Sequence, residues 1–207
     1  MESIYGSALG KLEMTKEYLE GEIEKLRQNL KKQEGLDPVE HCLARIKSEE
    51  SMREKCRRKG LPETEDSALR VIQDAVGLRV VCPFVQDVYR IRDHLAGLPD
   101  CEIIREKDYI RHAKSNGYRS YHMILLVRGE VYAEIQLRTI SQDTWAALEH
   151  HMRYKKNIKG NKALIESELK RCADELASTD ISMQTIRDLI QTADDGNVHG
   201  DDGHSAS

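Results

Sequence analysis

The chain has 207 residues, of which 33% are charged, and its formal net charge is −4. This length can bury one hydrophobic core, so we expect a single domain with or without helical extensions. The acidic balance argues against a protein that coats nucleic acid. Any polyanion site must therefore be a local cluster of basic residues, and nucleic acid is an unexpected partner.

The cysteines are isolated in the sequence and lack CxxC spacing, which suggests neither a disulfide framework nor a zinc site. They are Cys42, Cys56, Cys82, Cys101 and Cys172. Residues 1–14 show no basic start followed by an apolar core, and no apolar run approaches the roughly 20 residues that a membrane span needs. We therefore expect a cytoplasmic protein without a membrane partner.

Two long helices are predicted at the start of the chain. Residues 7–32 form the first one, because apolar residues recur at three- and four-residue steps and give an amphipathic face. These residues are Leu12, Leu19, Ile23, Leu26 and Leu30. Asp37 and Pro38 are typical of a helix start, so the second helix is predicted to cover residues 39–59.

The second predicted helix carries the main basic run, ARIKSEESMREKCRRKG. The spacing of Ser51, Lys55 and Arg58 puts them on one helix face, with Arg45 and Lys47 one to two turns earlier. Guanidinium and ammonium groups form short, charge-assisted hydrogen bonds with phosphate oxygens, so this face suits a phosphate ligand. The alternative is a solvated face whose cations pair with neighbouring glutamates.

Asp74 lies between a short helix predicted over residues 65–73 and a strand with the sequence GLRVVCPF. Arg79 follows within that strand. A carboxylate at such a junction is a candidate metal ligand next to a phosphate-binding cation. A turn carboxylate without a ligand is the alternative.

The middle of the chain continues with a helix over residues 87–98 and a strand over residues 101–105. A loop before the next strand holds three basic residues, Lys107, Arg111 and Lys114. Loops set against a rigid sheet are where binding groups concentrate.

Two helices are predicted at the end of the chain. The first covers residues 139–156 with Trp145, Leu148 and Met152 on one side. The second covers residues 162–191, with Leu164, Leu169, Leu176, Ile186 and Leu189 as its apolar positions. The domain organisation is thus an N-terminal helix (1–36), a core (37–157), a C-terminal helix suited to oligomerisation (158–192) and a disordered tail (193–207).

Residues 116–138, NGYRSYHMILLVRGEVYAEIQLR, are predicted to form two strands joined by a short turn, because the side chains alternate with a period of two. With Gly129 central in the turn, His122 faces Gln136, and Ser120 faces Arg138. A two-residue loop would shift this register. One face would then collect Tyr118, Ser120, His122, Glu134, Gln136 and Arg138. An ordinary solvated hairpin face fits the same pattern.

Four segments occur in the order and approximate spacing of the synthetase domain of RelA/SpoT-type alarmone synthetases. They are RIKSEESMREKCRRK, DAVGLRVVC, NGYRSYH and EIQLRT followed by W and EH. The chain resembles the small alarmone synthetases in particular, over residues 39–156 and in the helices on both sides. GYRSYH followed by EIQLRT is specific, whereas the basic helix alone is not. The resemblance implies an α/β fold with a mixed β-sheet flanked by helices, as in nucleotidyltransferases.

The resemblance also implies an activity. The family transfers a pyrophosphate group from ATP to the 3′-hydroxyl of GDP or GTP, which makes ppGpp or pppGpp for the stringent response and releases AMP. Nothing in the sequence resembles the family's hydrolase domain, so synthesis without hydrolysis is expected. A magnesium ion and assembly into a homotetramer through the terminal helices are implied as well.

On the ATP side, Arg45 and Arg79 resemble the arginines that sandwich adenine. The residues that resemble the family's ATP-phosphate ligands are Lys47, Ser51, Lys55 and Arg58. Asp74 is similar to the magnesium-binding aspartate, and Glu134 to the second acid, which binds magnesium or accepts the proton of the attacking hydroxyl.

On the GDP or GTP side, Tyr118 resembles the tyrosine that stacks on guanine. The other acceptor-binding candidates are Lys107, Lys114, His122 and Gln136. Asp143 stands where close relatives have Asn at the guanine edge, and its carboxylate can still accept hydrogen bonds from the base.

Two other functions remain open at this stage. Some relatives are toxins that pyrophosphorylate the 3′-end of tRNA, which would need a further basic patch for the acceptor stem. A non-catalytic nucleotide- or RNA-binding module would bind its ligand independently of Asp74 and Glu134.

Overall fold

The computed structural model describes residues 3–154 and 161–198. Its helices and strands are α1 (Leu9–Glu34), β1 (His41–Ile46), α2 (Glu49–Lys59), β2 (Val76–Cys82), α3 (Val85–Ala96), β3 (Cys101–Asp108), β4 (Tyr121–Val127), β5 (Val131–Thr139), α4 (Ile140–Tyr154) and α5 (Lys162–Val198). The strands form one sheet in the order β1-β2-β5-β4-β3, in which β2 and β5 run parallel and the other neighbours antiparallel. The predicted mixed sheet flanked by helices is confirmed.

One face of the sheet is apolar and forms the core. Alternate residues of the central strands, such as Leu78, Met123 and Ile135, are almost fully buried on this face. Helices α1 and α3 cover it with side chains that include Leu19 and Ile91. Burial of this aliphatic surface fixes which side chains of each strand point inwards, because successive residues point to opposite faces.

The opposite face is polar, and the strand register aligns its residues in two rows. The first row contains Arg45, Gly77 and Glu134 on β1, β2 and β5. The second row runs from β2 to β3 and contains Arg79, Gln136, His122 and Lys107. These two rows form the floor of the candidate site.

Residues 41–46 form strand β1, so the prediction of one continuous helix over residues 39–59 is wrong. Helix α2 occupies only the second half of this range. Ser48 caps the helix by accepting a hydrogen bond from the Ser51 backbone N at 3.3 Å. Asp37, predicted as a helix cap, instead accepts two hydrogen bonds of 2.8 Å from Arg27 of α1. Pairing with β2 decides the conformation of residues 41–46, because such long-range ladders outweigh local helix preference.

The predicted hairpin register is confirmed, since His122 of β4 lies opposite Gln136 of β5. The connecting loop has three residues and includes Gly129 at a φ of 67°, in the left-handed region that glycine adopts without steric cost. The polar face proposed from the sequence therefore exists.

Ser120 departs from the predicted face. The ladder begins at Tyr121, so Ser120 and Arg138 do not form a strand pair. The Ser120 side chain is buried and donates a hydrogen bond to the Leu137 carbonyl at 3.1 Å. Ser120 thus satisfies a backbone acceptor instead of serving the site.

Helix α5 begins as predicted but continues to Val198, so residues 193–198 of the predicted disordered tail are helical. Residues 199–207 lie outside the described residues. The apolar positions predicted for α5 do not form a buried stripe: Leu164, Ile186 and Leu189 are exposed, and Leu169 and Leu176 are half-buried. On α4, Trp145 is buried, while Leu148 and Met152 are exposed.

The other helices and strands begin and end close to the predicted residues. The predicted helix over residues 65–73 is a π-helical turn, Ser67–Val71. Strand β3 extends to Asp108, so Lys107 lies in a strand and not in the loop where the sequence placed it. Within the described ranges, no helix combines the length and apolar character required to cross a bilayer.

Candidate active site

The first polar row lines a cleft of about 120 Å³ on the open face of the sheet. The charged and amide residues that line it are Arg45, Lys47, Asp74, Arg79, Glu134 and Gln136. Gly77 contributes no side chain, and a Cβ added there would come no nearer than 4.0 Å to the Glu134 carbonyl oxygen. The floor of the cleft is therefore open between Arg45 and Glu134.

The two arginines of the cleft occupy diagonal positions on neighbouring strands. Arg45 pairs with Gly77, two residues from Arg79 on β2. Diagonal positions on an antiparallel pair are about 7–8 Å apart. A planar ring in contact with a group on each face needs about 3.5 Å on either side, so this spacing suits one aromatic ring between two guanidinium groups.

Asp74 is held by two lysines at the edge of the cleft. Lys47 Nζ lies 2.9 Å from Asp74 Oδ2, and Lys55 Nζ donates a hydrogen bond to the same oxygen. Burial by itself would raise the pKa of Asp74, but the hydrogen bonds from Lys55 and Lys47 outweigh it and lower the pKa below its usual value. The other oxygen, Oδ1, is buried and has no hydrogen-bond partner among the described residues. A charged oxygen is thus free for a cation or a donor.

Helix α2 brings a second group of donors to this edge. Ser51, Lys55 and Arg58 share its outer face, as predicted, and the helix N-terminus carries free backbone N–H groups and a partial positive charge. Ser51 is exposed, and its hydroxyl accepts a hydrogen bond from Ser48 Oγ at 2.9 Å. Lys47 and Lys55 meet at Asp74, whereas Arg45 reaches the cleft from β1. The basic residues therefore converge from a strand and a helix, not from one helix face.

The second polar row continues into a hydrogen-bonded network around Tyr118. Arg138 Nη2 donates to the Tyr118 hydroxyl at 2.8 Å and to Gln136 Oε1 at 3.0 Å. Arg138 Nη1 donates to Asp143 Oδ1 at 2.9 Å. The Tyr118 hydroxyl lies 2.8 Å from His122 Nε2. Five side chains from β4, β5, α4 and the segment before β4 are thus fixed relative to one another.

The network also assigns the tautomer of His122. A guanidinium group has no acceptor, so the Tyr118 hydroxyl accepts from Arg138 and its own O–H donates to His122 Nε2. The ring proton therefore sits on Nδ1, which lies 3.9 Å from Glu134 Oε1. Burial, followed by the positive charges of Arg138, Lys114 and Lys107, lowers the pKa of His122 to about 4. His122 is neutral at physiological pH.

The low pKa of His122 predicts a pH-dependent stability. The unfolded chain binds a proton at His122 below about pH 6.5, whereas the folded chain resists protonation until about pH 4. The free energy of unfolding should therefore fall by about 3 kcal/mol as the pH drops from about 6.5 to 4, and this loss should be absent from His122→Gln. Urea unfolding at several pH values measures it, and parallel curves for the two proteins would contradict the assignment.

Basic residues surround the rim of the network. Lys107 lies beside His122 in the strand register. Lys114 Nζ lies over two aromatic rings, 4.6 Å from the centroid of Tyr109 and 4.7 Å from that of Tyr118. The Tyr109 ring packs edge-to-face against His122, with centroids 5.4 Å apart. The rim thus combines mobile cationic side chains with rigid aromatic surfaces.

The structure brings most of the candidates from the sequence to one side of the sheet. It also adds Arg138 and Tyr109, to which sequence reasoning gave no role. Sequence reasoning placed Arg138 on the hairpin face. The spacing of neighbouring residues shows neither its burial nor its hydrogen bonds with Tyr118 and Asp143. Tyr109 is a single aromatic residue in a basic loop, and only the fold shows that it packs on Tyr118.

Known proteins match the segment of the chain that contains these residues. The family model described as "Region found in RelA / SpoT proteins" matches residues 44–159, more than half of the chain. The chain belongs to the RelA/SpoT family. The match includes the second half of β1 with Arg45, the other four strands and α4, and so contains both polar rows of the site.

Similarity to individual RelA/SpoT family members extends beyond this region. The GTP pyrophosphokinase YwaC of Bacillus subtilis is 42% identical over 147 residues, which are 68% of this chain and 70% of that protein. The GTP pyrophosphokinase YjbM of the same species is 36% identical over 164 residues, 75% of each chain.

The crystal structure of small alarmone synthetase 1 from Bacillus subtilis, bound to its product pppGpp, aligns with a TM-score of 0.73 at 30% identity. That alignment covers 87% of this chain and 94% of the other. The shared architecture thus includes the helices that flank the sheet.

Proposed function

We infer that this RelA/SpoT family member is a GTP diphosphokinase, which transfers pyrophosphate from ATP to the 3′-hydroxyl of GDP or GTP and so makes ppGpp or pppGpp. One observation carries the inference. Glu134 lines the arginine cleft, and it also lies 3.9 Å from His122 of the Tyr118 network. The arginine cleft and the Tyr118 network therefore meet at one carboxylate, as transfer between two bound nucleotides requires.

ATP is the proposed donor and binds in the cleft. Adenine stacks between Arg45 and Arg79, whose diagonal spacing suits one ring. The triphosphate then extends towards α2, where the available donors are Lys47, Ser51, Lys55 and Arg58. Charge-assisted hydrogen bonds from these groups neutralise phosphate oxygens and hold the β-phosphorus in place. When phosphates arrive, Lys47 and Lys55 have a second anion to bind besides Asp74.

Magnesium is the proposed metal, and the residues present fit it. Asp74 offers a buried carboxylate oxygen without a hydrogen-bond partner in the described part of the chain, and Glu134 offers a half-buried carboxylate in the same cleft. Magnesium is commonly bound by one or two carboxylates together with substrate phosphates. When bound, it would neutralise charge that develops on the phosphate oxygens.

The reaction needs little covalent chemistry from the protein. The 3′-oxygen of the acceptor forms a bond to the β-phosphorus of ATP, the bond from that phosphorus to the oxygen of AMP breaks, and AMP leaves. Glu134 accepts the proton of the 3′-hydroxyl. The arginine cleft and the Tyr118 network align the two nucleotides, and alignment of this kind supplies a large part of the rate enhancement.

The acceptor is proposed to bind on the second polar row. Guanine stacks on Tyr118, which requires Lys114 to leave the ring that it now covers. The long side chain of Lys114 can then join Lys107 at the 5′-phosphates, where neutral His122 contributes its Nδ1–H. Asp143 accepts hydrogen bonds from the N1–H and N2–H groups of guanine while Arg138 holds its carboxylate in place.

Replacement of Tyr118 by alanine should chiefly weaken acceptor binding. Base stacking on an aromatic ring is worth about 1–3 kcal/mol, so the KM for GDP should rise roughly 5- to 150-fold while the KM for ATP stays near its wild-type value. Tyr118→Phe is the matched control, because it keeps the ring and removes only the hydroxyl bonded to His122 and Arg138. Initial rates at varied GDP and ATP measure both constants, and an unchanged KM for GDP would exclude stacking.

We further propose that the enzyme acts in the cytoplasm as a homotetramer. Helix α5 exposes apolar side chains that a partner subunit would cover: Ile181, Ile186, Leu189 and Ile190. All five cysteines are free thiols, in keeping with a reducing compartment. Light scattering should give a mass of four chains of 23.7 kDa, and a monomer mass would contradict the tetramer.

The deciding experiment incubates the protein with ATP, magnesium and, in turn, GMP, GDP and GTP, and separates the products by anion exchange. We expect a more highly phosphorylated guanosine species together with an equal amount of AMP, and no product in EDTA. Labelled pyrophosphate on tRNA instead would identify a tRNA 3′-end pyrophosphokinase. Nucleotide binding without any transfer would favour a non-catalytic module.

A further inference from the structure

Helix α5 packs on the rest of the protein along one face. In residues 161–193, the part of α5 and its approach for which burial is described, the buried residues are Ala173, Asp180 and Arg187, seven positions apart. Seven residues span two helical turns, so the three side chains point the same way. Arg187 forms an ion pair with Asp87 of α3, at 2.8 Å. The other two lie against segments that carry acceptor-site residues.

The first contact holds both neighbours of Tyr118. Gly117 has a φ of +90°, and a Cβ added there would lie 2.7 Å from the Cβ of Ala173, so the loop backbone packs directly on α5. Arg119 donates a hydrogen bond of 3.3 Å to the Ala173 carbonyl and one of 3.0 Å to Asp174 Oδ1. The crevice left in this seam measures only about 10 Å³, room for at most one water molecule.

The second contact holds the residue that follows Arg138. The Thr139 hydroxyl donates a hydrogen bond of 2.6 Å to Asp180 Oδ2 and accepts one of 3.2 Å from the Gln142 backbone N. Gln142 Oε1 in turn accepts from the Thr139 backbone N at 3.2 Å, which completes a capping box at the start of α4. Asp180 therefore fixes the junction between Arg138 on β5 and Asp143 in the first turn of α4.

A third contact reaches the Tyr118 ring through Trp145. The Trp145 indole N–H donates a hydrogen bond of 2.8 Å to the Leu169 carbonyl of α5. Its ring packs edge-on against Tyr118, with centroids 6.4 Å apart. Helix α5 thus supports three parts of the acceptor site. These are the backbone on both sides of Tyr118, the Tyr118 ring through Trp145, and the junction between Arg138 and Asp143.

We propose that α5 positions the acceptor site, with Asp174 and Asp180 as positioning residues that act on Tyr118 through Arg119 and on Arg138 through Thr139. The proposal rests on the proposed function, because it assigns these contacts to GDP binding. The arginine cleft for ATP is built from β1, β2 and β5. Loss of the Asp174 contacts should accordingly change acceptor binding and spare donor binding. Asp180 stands closer to the cleft, because Asp143 Oδ1 lies 3.6 Å from Arg79 Nη1.

Asp174→Ala tests the proposal with Glu175→Ala as its matched control. Asp174 bonds to Arg119 and Lys170, whereas the adjacent Glu175 bonds to Arg171 on the same helix. Both side chains are exposed, so neither change endangers folding. For Asp174→Ala we expect the KM for GDP to rise about 2- to 5-fold, as for loss of an exposed ion pair, with the KM for ATP unchanged. Glu175→Ala should leave both constants unchanged.

A binding measurement separates this proposal from the catalytic one. Trp145 is the only tryptophan of the chain, so its fluorescence reports on the acceptor site during titration with GDP. Asp174→Ala should raise the Kd for GDP by the same factor as the KM. Asp180→Ala removes the acceptor of the buried Thr139 hydroxyl and should raise the Kd for GDP about 10-fold. Asp180→Asn keeps an acceptor oxygen and should raise this Kd less.

Equal GDP constants for Asp174→Ala and Glu175→Ala would overturn the proposal, as would a parallel rise in the KM for ATP. Wild-type protein that binds GDP but forms no product would refute the proposed function alone. Failure of the wild type to bind GDP at all would refute both. Asp180→Ala that does not fold leaves the Asp174 pair of variants to decide.

Discussion

Replacing Asp74 by asparagine should lower kcat/KM by about 10³-fold, because the magnesium ion that we propose at Asp74 and Glu134 would lose one carboxylate ligand and with it several kcal/mol of transition-state stabilisation. Asparagine keeps the size of the side chain and offers an oxygen, but not the charge. Initial rates at saturating magnesium measure the effect. A rate within a few-fold of the wild type would remove Asp74 from the metal site.

Asp74→Ala has a second expected effect, on stability. Lys47 and Lys55 would face each other without their counter-ion, with side chains only 17% and 22% exposed. We expect the free energy of unfolding to fall by about 1–3 kcal/mol. Thermal melting with and without magnesium separates the two roles, since magnesium should stabilise the wild type and neither variant.

Replacing Glu134 by glutamine should lower kcat by about 10²- to 10⁴-fold, the usual contribution of a general base, and leave the KM values for ATP and GDP near those of the wild type. Stability should change by less than about 0.5 kcal/mol, because Glu134 is half-buried and the imidazole 3.9 Å from its carboxylate, that of His122, is neutral. Single-turnover rates measure the chemical step directly.

The control for Glu134 is Glu130→Gln in the turn of the same hairpin. Glu130 is exposed, lies outside the arginine cleft and pairs with Lys11 at 2.9 Å, so its neutralisation should leave kcat unchanged. Wild-type activity in Glu134→Gln would assign proton removal elsewhere.

Much of the site could be read from the sequence because it lies on a hairpin with a short loop. Once Gly129 is placed in the turn, period-two alternation fixes which residues share a face, and His122 opposite Gln136 follows. Asp74 and Arg79 were likewise visible as a carboxylate and a cation flanking the start of a buried strand. These inferences needed only local geometry.

Strand β1 shows where local reasoning failed. The segment 41–46 follows Asp37 and Pro38, which are typical of a helix start, and precedes the helical stretch of α2. Its pairing with β2, about 35 residues further along the chain, makes it a strand and so carries Arg45 into the cleft next to Arg79. The family resemblance paired Arg45 with Arg79, and the structure brings the two together in the cleft. The helix-start signal at Asp37 and Pro38 assigned Arg45 to the wrong element.

The prediction that the apolar positions of α5 are buried was wrong for a related reason. Periodicity identifies an apolar side of a helix but not what it faces. In this chain, α5 turns Ala173, Asp180 and Arg187 towards the core and leaves Ile186 and Leu189 exposed. Buried polar contacts, Asp180 with Thr139 and Arg187 with Asp87, are compatible with this orientation because each group finds a specific partner.

By itself, the sequence predicted the polar hairpin and its register, because period-two alternation and turn chemistry act over a few residues. Its resemblance to the RelA/SpoT synthetases implied the mixed α/β fold and most of the candidate site residues. The tertiary structure alone decided that β1 is a strand, that Lys47 and Lys55 clamp Asp74, that His122 is neutral and that α5 supports the segments around Tyr118 and Arg138. Each of these depends on burial and on partners distant in the chain, and neither burial nor partner choice is encoded in the spacing of neighbouring residues.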